Sequence, residues 1–120
     1  MELMDSTSEN VKNALAWMNS TVLARGLTDI LTPLQQSMNI LSRSRGVPYI
    51  FLLTDGAVED EREIARYLQM AVQSPGPSTV MTPRVSTFAI GPYCNHYFLK
   101  QLSVIGRSEE RRVGKECRSR

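Results

Sequence analysis

Apolar residues recur along this chain with two different periods. Near the start, Val11, Ala14, Leu15, Met18 and Val22 fall on one face of a helix. Asp5-Ser6-Thr7-Ser8-Glu9 precedes them, with Ser6 and Glu9 at the spacing of a capping box. Arg25-Gly26-Leu27-Thr28-Asp29 breaks the pattern. A second helix is expected from Leu31 to about Ser44, with Leu31, Leu34, Met38 and Leu41 turned inward and Pro33 tolerated in the first turn. Gly46 and Pro48 then stop it.

At Val47 the helical period is lost. Val47 to Leu53 is continuously apolar, as expected of a strand covered on both faces in a parallel sheet. It ends in Thr54-Asp55-Gly56, and Glu59-Asp60-Glu61 follows with charges suited to a helix N-terminus. Ile64, Leu68 and Val72 give this third helix an inner face. A loop begins at Ser74-Pro75-Gly76-Pro77-Ser78 and reaches Pro83. Val85 to Gly91 reads as a second strand, and Tyr97 to Ile105 as a last helix with Phe98, Leu102 and Ile105 on one side. Strands alternating with helices predict an α/β fold with right-handed parallel connections. Two strands serving four helices make a thin sheet, so an amino-terminal truncation is expected. A chain with such a sheet edge is expected to be marginal or aggregation-prone alone.

The last fourteen residues, Arg107 to Arg120, have no apolar periodicity. They match, residue for residue, one reading frame of a common short-read sequencing adapter, so residues 107–120 are expected to be a non-native tail. The whole chain has 14 basic and 12 acidic residues and a net charge of +2. Six of those basic and three of those acidic residues lie in the tail, leaving eight and nine, or −1, in residues 1–106. The positive balance is therefore no indication of nucleic acid. Cys117 leaves with the tail, and Cys94 alone gives neither an internal disulfide nor a metal cluster. The body, 42% hydrophobic over the whole chain, is globular in composition. No apolar run is long enough to span a membrane.

Asp55 carries the best candidate chemistry. Open parallel sheets bind ligands beyond the carboxyl ends of their strands, and Gly56 lets the chain turn away. A carboxylate there suits a metal, a phosphate partner or a basic group, although Asp-Gly is also a common turn. Other residues are weaker. Cys94 and His96 are near-neighbours at a helix start, where a nucleophilic pair is seldom apposed, and Asn95 reads as a helix cap. Glu59-Asp60-Glu61 lacks the alternation of a calcium loop and reads as a solvated first turn. Trp17, Met18 and the other methionines are expected in the core.

Gly26-Leu27-Thr28-Asp29-Ile30, Ile50 to Gly56 and Ser86-Thr87-Phe88-Ala89-Ile90-Gly91 resemble a von Willebrand factor type A domain. The likeness is closest to the inter-alpha-trypsin-inhibitor heavy-chain type, whose Thr-Asp-Gly-Ala-Val-Glu-Asp-Glu-Arg string stands at Thr54 to Arg62. It covers essentially residues 1–106, with the motifs in the expected order. It implies a Rossmann-like parallel sheet flanked by helices, here incomplete and corresponding to the carboxyl-terminal part of the domain.

The resemblance also implies a metal-ion-dependent adhesion site. In that family an Asp-x-Ser-x-Ser motif, a later threonine and an aspartate after the fourth strand hold Mg²⁺, or Mn²⁺ or Ca²⁺. The threonine matches Thr28 and the aspartate Asp55; Gly26 and Gly56 would shape the loops, and Asp29 would lie on the rim. Hard oxygen ligands and an open position suit a magnesium ion that accepts an acidic group from a protein ligand. Asp5-Ser6-Thr7-Ser8 does not supply the first motif, because Glu9 stands where its last serine belongs. Leu27 replaces a glycine frequent in the family. The expected function is thus a protein-binding, non-enzymatic module with a partial site and weak or no metal binding of its own. A metal-independent structural domain is the alternative. A phosphoaspartyl-type phosphatase is less favoured, because Gly56-Ala57 stand where a second acid would be needed.

Overall fold

The computed structural model describes residues 2–55, 57–74 and 81–107, and the backbone of 110–113. In chain order it contains α1 (Ser8–Thr21), α2 (Leu31–Leu41), β1 (Tyr49–Thr54), α3 (Glu61–Gln73), β2 (Arg84–Ile90), α4 (His96–Ile105) and β3 (Glu110–Val113). The three strands form one sheet in the order β1-β2-β3. Both pairings are parallel, with Tyr49 opposite Arg84 and Thr87 opposite Glu110. The chain is therefore α/β. The element order matches expectation from α1 to α4, and β3 is an addition. Its four residues, Glu110-Arg111-Arg112-Val113, carry no strand pattern, and their backbone pairs in parallel with β2.

One face of the sheet holds the core. Val85, Thr87 and Ala89 of β2 are buried, alternating with more exposed neighbours as a strand with one covered face requires. Over them pack Ile64, Ala65 and Leu68 of α3 and Phe98, Leu99 and Leu102 of α4. Ile30, Leu34 and Met38 at α2 join the same cluster. Each fully buried aliphatic or aromatic side chain contributes about 1.5–3 kcal/mol relative to exposure. Thr87 brings a hydroxyl into this layer, and it donates to the Leu99 carbonyl at 3.1 Å, so no polar atom is stranded there.

The opposite face is bare, contrary to the expectation of a strand covered on both sides. Tyr49, Phe51 and Leu53 are 45%, 63% and 62% exposed, while Ile50, Leu52 and Thr54 between them are half-buried. A continuous apolar run fits a doubly covered strand, but among the described residues the only helices contributing to the buried cluster are α2, α3 and α4. The exposed aromatics pack against each other instead. Tyr49 and Phe51 stack at 6.4 Å, and Phe51 meets Phe88 edge-on at 5.7 Å.

Helix α1 departs further from expectation, since none of its residues is buried. Trp17 and Met18, expected in the core, are 56% and 48% exposed, and among the described methionines only Met38 is in the buried cluster. The cap is Thr7 and not Ser6: its hydroxyl accepts from the Asn10 amide at 3.2 Å, and the Asn10 side chain donates back to the Asp5 carbonyl. Helix α2 ends at Leu41, short of Ser44, because Arg43 and Ser44 donate to the carbonyls three residues back and tighten the last turn.

Candidate functional site

The carboxyl ends of β1 and β2 open toward the starts of α3 and α4, which places Asp55 beside the first turns of two helices. Asp55 is exposed. One oxygen of its carboxylate accepts from the Ala57 amide at 3.0 Å, closing an Asx turn. Its carbonyl accepts from the Asn95 amide at 3.2 Å, which ties the turn to the start of α4.

Asn95 is the centre of this edge. Its side-chain oxygen accepts from the Phe98 amide at 3.1 Å and caps α4, as expected. Its amide nitrogen donates to a Glu61 carboxylate oxygen in the first turn of α3. One residue thus joins the Asp55 loop, α3 and α4. The link to Glu61 was not legible in the sequence, where the two lie thirty-four positions apart. The only local signal was an asparagine opening a helix after a strand. Asn95→Ala removes the cap and the Glu61 bond together, and is expected to cost about 1–2 kcal/mol in denaturant titration. Asn95→Asp keeps the cap acceptor but sets a carboxylate against Glu61, so its midpoint should fall between those of alanine and wild type.

Thr28 lies exposed in the stretch before α2. Gly26 nearby has φ of 63°, a left-handed conformation that glycine adopts at little cost. Asp29 is also exposed, and its carboxylate accepts from the Thr32 amide at 3.1 Å, capping α2. The Thr32 hydroxyl and then its amide hold the Asp29 carboxyl below the usual carboxylate range. The hydrogen bonds fixing Asp55 come from Ala57 and Asn95, whereas those of the Thr28 stretch come from α2. Gly56 lies outside the described residues.

Cys94 and His96 stand at the same mouth. The Cys94 thiol, half-buried, donates to the Ile90 and Gly91 carbonyls at 2.9 Å each, and the His96 amide donates to the Cys94 carbonyl. This is turn architecture at the start of α4.

Among the described residues no group of three or more histidines, cysteines, aspartates and glutamates is arranged to hold an ion. One Asp55 carboxylate oxygen is engaged by the Ala57 amide, and the Glu61 carboxylate by Asn95. No described helix is long and apolar enough to cross a membrane. No family model and no curated protein matches the chain.

Proposed function

We propose that this chain is a binding module of the von Willebrand factor type A kind, built on a Rossmann-like sheet. In it Thr28 and Asp55 are the part of a metal-dependent adhesion site that these residues supply. The supporting observation is an exposed carboxylate at the carboxyl end of a parallel strand, anchored from α4 by the Asn95 amide. In this position a ligand meets the loops after the strands and leaves the core untouched. The remaining metal ligands, including an Asp-x-Ser-x-Ser motif, come from chain outside these residues, and the partner is a protein presenting an acidic group. No enzymatic role is assigned, because no second acid follows Asp55 at the spacing phosphoryl transfer needs.

A metal-independent structural role is the second reading. The Asx turn at Ala57 and the cap at Thr32 favour it, since they give Asp55 and Asp29 purely architectural work.

Asp55→Ala in the complete protein separates the two. The metal reading expects loss of Mg²⁺-dependent ligand binding, measured calorimetrically with and without chelator, at unchanged circular dichroism. Binding that survives the substitution would sink the metal assignment and leave the structural one.

A further inference from the structure

Asn95 holds both ends of one loop. The chain leaves β1 at Asp55 and enters α3 at Glu61. At the first end the Asn95 backbone amide donates to the Asp55 carbonyl at 3.2 Å, and at the second its side-chain amide donates to the Glu61 carboxylate. Between them Val58 is half-buried against the core cluster, so the loop is also seated near its middle. Glu61 differs from the acids around it. Glu59, Asp60 and Glu63 are exposed, as a solvated first turn requires, whereas Glu61 is half-buried and engaged by Asn95.

A fully solvated carboxylate would serve a helix N-terminus equally well. Half-burying it costs desolvation, which a charge-assisted hydrogen bond offsets. What the bond adds is geometry. The Asn95 side chain is already fixed through its oxygen, which caps α4, so its amide nitrogen is a rigid post. Glu61 against that post sets the first turn of α3, and with it the far end of the loop. The near end carries the exposed Asp55 carboxylate, which the Ala57 amide orients at 3.0 Å from within the same loop. A group held in place before its ligand arrives binds more tightly than one that must be ordered on contact.

We propose that Glu61, acting through Asn95, is a positioning residue for the Asp55 carboxylate, so that the seating of α3 against α4 sets how well Asp55 is presented. This rests on the reading of Asp55 as a ligand-binding residue. It adds a control point in a side chain that takes no part in the contact itself.

The test compares variants of the complete protein by two readouts. One is hydrogen exchange of the Ala57 amide, which lies in an exposed turn and so reports local opening and not global unfolding. The other is binding of Mn²⁺, a paramagnetic stand-in for Mg²⁺, followed by water-proton relaxation. Glu61→Ala removes the tie and keeps the Asn95 cap, while Asn95→Ser keeps a cap acceptor and removes the donor. At unchanged circular dichroism, each should speed Ala57 exchange and weaken Mn²⁺ binding about tenfold, the scale of a lost hydrogen bond to a charged group and of a disturbed outer-shell partner. Glu61→Gln keeps an oxygen that can accept from Asn95 and should stay near wild type in both. Glu59→Ala, which removes the same charge from an exposed neighbour, should leave both unchanged. Ala57 exchange unaltered by Glu61→Ala, a glutamine variant as impaired as the alanine one, or an equal effect of Glu59→Ala would each overturn the proposal. Asp55→Ala that binds Mn²⁺ as wild type does, beside a Glu61→Ala that still speeds Ala57 exchange, would overturn the metal reading and leave the positioning in place.

Discussion

Phe98→Ala is expected to remove about 3–5 kcal/mol, the loss typical of a phenylalanine truncated in a packed core. Phe98 is 1% exposed in α4, packed in the cluster that α3, α4 and β2 share. The cavity would open where these elements meet, so relaxation in one cannot fill it without disturbing the others. Small domains are stable by only about 5–15 kcal/mol in all, so the variant should unfold over most of its length at modest denaturant. The informative control is Phe51→Ala, which removes the same side chain from the 63% exposed position on β1. It should cost under about 1 kcal/mol. Comparable losses at the two positions would mean that the bare face is covered within the monomer.

Gly106→Ala should be the second most damaging small change, for the opposite reason. A Cβ built on Gly106 would stand 2.7 Å from the Val85 Cβ and 3.1 Å from both the Val85 nitrogen and the Leu102 carbonyl oxygen. The glycine amide donates to Leu102 at 2.8 Å, and its carbonyl accepts from Val85 at 3.1 Å. Its backbone is thus tied to the last turn of α4 on one side and to β2 on the other. Neither Val85, buried in a strand, nor the last turn of α4 can retreat cheaply, so overpacking should cost about 1–3 kcal/mol or more. Gly46→Ala is the matched comparison, because nothing lies within 4 Å of its Cβ. That variant should be neutral or slightly stabilising through reduced freedom of the unfolded chain. Equal midpoints for the two alanine variants would show that α4 does not pack on β2 as closely as described.

The helix faces that read clearly were those whose apolar residues meet a partner. Ile64 and Leu68 of α3 and Phe98 and Leu102 of α4 were picked out by spacing alone and are all buried. The same spacing picked out Val11, Leu15 and Met18 of α1, and all are exposed. Periodicity states which side of a helix avoids water, but it is silent on whether a surface is present to receive that side. The parallel pairing of β1 with β2 was legible because a helix-length connection forces it. β3 was not, because Glu110-Arg111-Arg112-Val113 shows no apolar alternation. At the candidate site, Asp55 and the capping role of Asn95 were legible as residues ending a strand and opening a helix. The Asn95–Glu61 contact needed the fold, since it spans two elements distant in sequence.

The amino-acid sequence by itself determined the order and type of the elements from α1 to α4, the inner faces of α3 and α4, and an aspartate after the first strand. These follow from local propensity, capping and apolar period, which act over a few residues. Only the tertiary structure decided that the sheet is covered on one face and bare on the other, that α1 stands off from the core, and that Asn95 ties the Asp55 turn to Glu61. Burial and long-range hydrogen bonds depend on which surfaces meet, and that is a property of the packed chain and not of any segment within it.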